Sequence, residues 1–173
     1  MLSAATVIGF SGSRRPSDAS RRALRWALGR LDPSALVVVG CARGVDAAVR
    51  SSVPCSRLRV FRASSFGAGP GAFAARSIAC VRAVAGADDA LWTAFPSRPC
   101  PVGLLPLSSL SSCFSGFGSG TWASLAFALG SGLRCLVFLS PGVSAPAGWP
   151  LASVPGTRSW WHYAPASVQG RLF

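Results

Sequence analysis

The chain has 173 residues, half of them hydrophobic, which suits one domain with a real core and excludes global disorder. Its formal charge is +12, carried by seventeen basic residues that are all Arg against five acidic residues that are all Asp. GC-rich coding explains such a bias as readily as function does, but a chain this basic is drawn to polyanions whatever the cause.

The predicted elements alternate strand, glycine turn and helix. Residues 6–10 form a short apolar run that ends in the turn cluster Ser11-Gly-Ser-Arg-Arg-Pro-Ser17. Residues 20–31 have helical spacing, with Leu24, Ala27, Leu28 and Leu31 on one face; Ser17 or Ser20 caps the start and Asp32-Pro33 stops it. Trp26 points away from that face, among Arg22, Arg25 and Arg30, as a subunit contact or a base-stacking platform, with the subunit contact favoured.

Residues 36–39 read as a buried parallel strand, followed by the turn Gly40-Cys-Ala-Arg-Gly44 and a helix over 45–51. Residues 57–61 are a third strand, 64–71 a Gly- and Pro-bearing loop, 73–85 a helix and 90–95 a fourth strand, with Asp88 and Asp89 as turn residues before it. Residues 97–115 are rich in Pro and Ser and read as an insertion or a mobile flap. Gly116-Phe-Gly-Ser-Gly-Thr121 then opens an apolar helix over 122–129, and 133–139 form a fifth strand. The domain is expected to span 1–142, with 143–173 as a Pro- and Trp-rich tail packed on it.

This order implies an α/β fold: a single Rossmann-like domain with a central, mostly parallel sheet of about five strands flanked by helices. Ligands of such sheets bind at the carboxyl ends of the strands. Three loops there carry the chemistry. Gly118, Ser119, Gly120 and Thr121 bring backbone N–H groups and a helix N-terminus to an anion. Gly12, Ser13 and Arg14 offer a backbone turn, a hydroxyl and a guanidinium that pairs bidentately with phosphate. Gly40, Arg43, Gly44 and Asp46 form the third; Arg43 reaches toward phosphate, whereas Asp46 either serves the site or meets the N-terminal N–H groups of its own helix. Arg76 lies on the helix face away from Ile78 and either faces the crevice or is solvated. The chain has no Lys, so none of these loops is a Walker loop.

Six cysteines without a C-x-x-C pair, and a single His162, argue against a zinc site. Cys80 and Cys135 read as small core residues. The first ten residues lack a basic signal region and no apolar run reaches about 18 residues, so a cytoplasmic setting without a membrane span is expected. No residue is assigned a catalytic role, and neither a metal nor a cofactor is implied.

Taken together, Gly12-Ser-Arg14, Gly40-x-Ala-Arg-Gly-Val-Asp46, Ser119-Gly-Thr-x-Ala-Ser-x-Ala-x-Ala-Leu129 and Val137-Phe-Leu-x-Pro-Gly142 resemble the SLOG superfamily, over roughly residues 7–142. That group joins the DNA-processing DprA (Smf) proteins with the LOG nucleoside-monophosphate phosphoribohydrolases. The Arg43-Gly-Val-Asp46 element resembles DprA most, and Ala75-Arg-Ser-Ile-Ala79 is similar to the family's Arg-bearing helix. The resemblance implies phosphate binding at these loops and homo-oligomers. LOG enzymes place a Glu where this chain has Ser124, and the chain contains no Glu. Losing a general acid or base of this kind costs about 10²–10⁴ in rate. The resemblance therefore implies a non-catalytic binder of single-stranded DNA or a nucleotide. The alternatives are a LOG-like nucleotide hydrolase, with Asp46 as its only plausible carboxylate, or a sensor of a nucleotide-derived signal.

Overall fold

A computed structural model describes residues 1–165. Strands β1 (Val7–Gly12), β2 (Leu36–Gly40), β3 (Leu58–Phe61), β4 (Ala90–Phe95) and β5 (Arg134–Phe138) are all parallel and lie in the order β3-β2-β1-β4-β5. Two further strands, β6 (Ala152–Ser153) and β7 (Trp160–Tyr163), extend the sheet beyond β5. Thus the expected Rossmann-like α/β domain is found, with seven strands instead of about five. The extra two come from the Pro- and Trp-rich stretch, whose β7 pairs antiparallel with β5.

Helices α1 (Asp18–Leu28) and α2 (Val45–Ser52) cover one face of the sheet. Their Ala23, Leu24, Ala27, Val45 and Val49 pack on Ile8, Phe10, Val37, Val39, Leu91 and Phe95. Helices α3 (Pro70–Ala85) and α5 (Gly120–Gly130) cover the other face, over Val38, Trp92, Ala94 and Val137. The period-2 alternation of a strand explains this division, since successive side chains of β4 serve opposite cores. β5 and α5 are uncharged apart from Arg134 because both are covered on all sides.

Helix boundaries differ from the spacing-based expectation at turns. α1 begins at Asp18, where the Ser17 hydroxyl accepts from the Ser20 amide at 3.1 Å, and ends at Leu28 ahead of Gly29, short of Asp32-Pro33. α3 begins with Pro70 in its first turn, where a missing N–H costs nothing.

Residues 97–115 contain one short helix, α4 (Leu110–Cys113), and are pinned to the domain. The Trp122 indole donates to the Arg98 carbonyl at 2.8 Å, and the Trp149 indole donates to the Leu104 carbonyl at 3.1 Å. Leu107 abuts Gly130 so closely that a Cβ there would overlap its backbone. No helix among the described residues is long and apolar enough to cross a membrane.

Candidate functional site

The strand order reverses direction at β1, whose neighbours are β2 and β4. Loops leaving β1 and β4 therefore diverge, to α1 on one face and toward α5 on the other, and a crevice opens between them. Its volume is ≈ 1300 Å³, and it is lined by every predicted phosphate-site residue except Gly44. Five arginines line it (Arg14, Arg15, Arg43, Arg76 and Arg98) against one carboxylate, Asp46.

The turn after β1 is partly committed to holding the fold. The Ser13 amide donates to the Phe95 carbonyl at 3.1 Å, and its carbonyl accepts from the Val45 amide at 3.1 Å. The Ser13 hydroxyl accepts from the Arg15 amide at 3.0 Å, and its own proton meets no acceptor among the described residues. Arg14 is exposed, with its guanidinium 5.2 Å from the centroid of the half-exposed Phe73 ring.

The turn after β2 is built on Asp46. Its Oδ2 accepts from the Ala42 amide at 3.1 Å and from Arg76 Nη1 at 2.9 Å. Arg50 Nη1 donates to the Gly40 carbonyl at 2.7 Å and to the Ala42 carbonyl at 3.1 Å. Arg76 therefore lines the crevice and is not solvated, with its Nη1 committed to Asp46. It is buried and clasps α3 to the start of α2 across the end of β2. Gly40 makes this possible, because a Cβ there would overlap both Arg76 Nη1 and Asp46 Oδ2. Gly12 and Gly44 serve close approach as well: Val45 packs on the first, and the backbone of Ser13 and Arg14 on the second. Gly44 thus supports the lining from behind. Arg43 remains exposed at the rim.

The loop before α5 is different. Nothing lies within 4 Å of a Cβ built at Gly116, Gly118 or Gly120. Ser119 is the N-cap; its hydroxyl accepts from the Trp122 amide at 3.4 Å and its carbonyl from the Ala123 amide at 3.0 Å. None of the amides from Gly116 to Thr121 meets an acceptor among the described residues. Such free N–H groups, at the positive end of an 11-residue helix, are the physical basis of anion binding.

No known family model, curated protein sequence or solved structure matches this chain.

Two residues that would matter for hydrolysis are already engaged. The Ser124 hydroxyl donates to the Gly120 carbonyl at 2.7 Å, as helical serines do, and Asp46 is held as described. Burial pushes the Cys80 thiol, also in the lining, up to about 12, the nearby Arg76 charge offsetting only part of that; it is a neutral thiol at physiological pH. Among the described residues, no group of three or more His, Cys, Asp or Glu side chains could hold a metal ion.

Trp26 lies away from the crevice. Its ring is 5.2 Å from that of Trp160 on β7 and 4.1 Å from the Arg30 guanidinium, and it remains 43% exposed. With Met1, Leu2, Leu31, Leu136, Val154 and His162 it borders a smaller cavity of ≈ 650 Å³. The sequence offered Arg15 only as part of the turn after β1, and sequence reasoning missed Ser11, Phe73, Trp92 and Arg98 in the crevice. Ser11 alone left a signal: it is a polar residue two positions after Gly9, hence on the same strand face.

Proposed function

We propose that the crevice binds the phosphate of a nucleotide or of a single-stranded nucleic acid, and that the chain works as a binding protein and not as an enzyme. The observation that carries this is the run of acceptor-free amides from Gly116 to Thr121 at the N-terminus of α5, opening into a cavity with five arginines. Phe73, with Arg14 over its ring, supplies a surface on which a base stacks. The likeness of these loops to the SLOG superfamily, and to DprA within it, supports the same reading. So does the engagement of Asp46 and Ser124, which leaves a hydrolytic mechanism without a free acid or base in the lining.

Two lesser readings go with it. The six cysteines are all free, which fits a reducing cytoplasmic setting. The exposed part of Trp26 fits a contact between copies of the chain in a homo-oligomer.

The test is a binding titration of single-stranded oligonucleotides and mononucleotides at several salt concentrations. A strand laid across the arginines loses affinity with a log–log slope of about −0.7 per phosphate contacted. A mononucleotide saturates the site with a much shallower dependence. Release of free base from a nucleoside monophosphate, or no affinity for either ligand, ends the proposal.

A further inference from the structure

Below the loops, three polar atoms of the crevice are buried without a hydrogen-bond partner among the described residues: Ser11 Oγ, Arg76 Nε and Trp92 Nε1. Their residues are only 9%, 9% and 1% exposed, and all three line the cavity. Buried donors are nearly always satisfied, so three orphans in one place call for an explanation. Ser11 and Trp92 lie on the sheet face that α3, which carries Arg76, covers. Gly9 pairs with Trp92 across β1 and β4, and a Cβ on Gly9 would overlap the Trp92 ring. Ser11 follows two residues later on the same face. Gly40 is the next position on β2, and the Arg76 guanidinium lies over it.

The chemistry of the patch is one-sided. An indole N–H and a guanidinium N–H only donate, while the serine hydroxyl turns either way. The patch is also electrically neutral, because Arg76 already faces Asp46 at 2.9 Å. A second full anion there would be buried without its own counter-charge, whereas a neutral acceptor fits. The unpaired charge lies higher, on Arg14, Arg15, Arg43 and Arg98 around the mouth.

Resting on the phosphate-binding reading above, we propose that this floor selects nucleotides whose base carries a keto group at purine C6 or pyrimidine C4. The ligand is a mononucleotide with its phosphate at the α5 loop and its base inserted toward Trp92. Guanine presents O6 and N7 as two adjacent acceptors, and uracil presents O4. Adenine and cytosine present an amino group at the equivalent place. An amino group at that position gives the Arg76 and Trp92 donors nothing to bond, and that mismatch disfavours it.

The experiment is calorimetric titration of the full chain with GMP, UMP, AMP and CMP, with ribose 5-phosphate as the base-free control. GMP and UMP are expected to bind about tenfold or more tightly than AMP and CMP. Trp92→Phe, which keeps a ring and removes the N–H, narrows that gap among the four nucleotides. Should that variant fail to fold, the ranking of the four nucleotides decides alone. Equal affinities, a preference for AMP or CMP, or affinity for single-stranded DNA without any for mononucleotides overturns the floor inference and leaves the phosphate crevice standing. Absence of binding by all five small ligands and by single-stranded DNA removes the crevice reading, and this inference with it.

Discussion

Replacing Asp46 with Ala removes one carboxylate and disturbs three elements at once. Arg76 keeps its charge, at 11% side-chain exposure, with no counter-ion, and the Ala42 amide loses its acceptor. Breaking a fully buried pair from one side costs about 3–5 kcal/mol. The crevice above admits water, so the lower end applies, about 3 kcal/mol. For a chain of this size that is a fall in Tm of about 6–12 °C. Arg76→Met, leaving Asp46 at 7% exposure with only the Ala42 amide, costs a similar amount. The double variant restores part of the loss, because neither charge is then stranded. Urea denaturation of the four proteins measures the coupling, expected at about 2 kcal/mol. Single losses that simply add, to within about 0.5 kcal/mol, refute the clasp between α2 and α3.

Gly118 has φ +73° with open space around it, so Gly118→Ala carries backbone strain of about 1–2 kcal/mol while reshaping the free amides. Nucleotide affinity should fall about tenfold by calorimetry, the worth of one charge-assisted hydrogen bond; unchanged affinity would place the phosphate elsewhere. Alkylation at pH 8 followed by mass spectrometry should label exposed Cys55 first, while Cys80, its thiol pushed up to about 12 by burial, and the buried Cys113 and Cys135 stay unmodified until denaturant is added. Hydrogen bonds from Ser34 hold the Asp32 carboxyl below its ordinary value of 3.8. A depressed folded-state value means its stabilisation is present above that ordinary value and lost as pH falls through the folded one. Asp32→Asn should therefore flatten the loss of stability below about pH 4, and an acid limb that is the same in both proteins would contradict this.

Strands β1, β2, β4 and β5 were legible as short, mainly apolar runs, and β3 by the alternation of Leu58 and Val60 with Arg59. β7 was not. Trp160-Trp-His-Tyr163 has no strand alternation of its own, and it becomes a strand because the edge of β5 offers it a ladder. In the crevice, glycine loops and arginines could be read from the chain, but their duties could not. Gly12, Gly40 and Gly44 look like the glycines of the α5 loop, yet they are small in order to let Val45, Arg76 and the backbone of Ser13 come close. Asp46 and Arg76 stand 30 positions apart, with nothing local to mark them as partners. Trp92 sits in a strand buried throughout, so its sequence context says core; only the packing around it leaves its N–H without an acceptor.

The position of β1 also bears on how the chain matures. β1 precedes both of its neighbours in the chain yet lies in the middle of the five parallel strands, and its second neighbour, β4, begins only at Ala90. During synthesis β1 can pair with β2 early, while its other edge waits for β4 to emerge. Its unpaired ladder is then a hazard for association with other nascent chains, and the late arrival of β4 and then β5 is the step that retires it. The crevice is born at that same step, so no N-terminal fragment ending before β4 contains it.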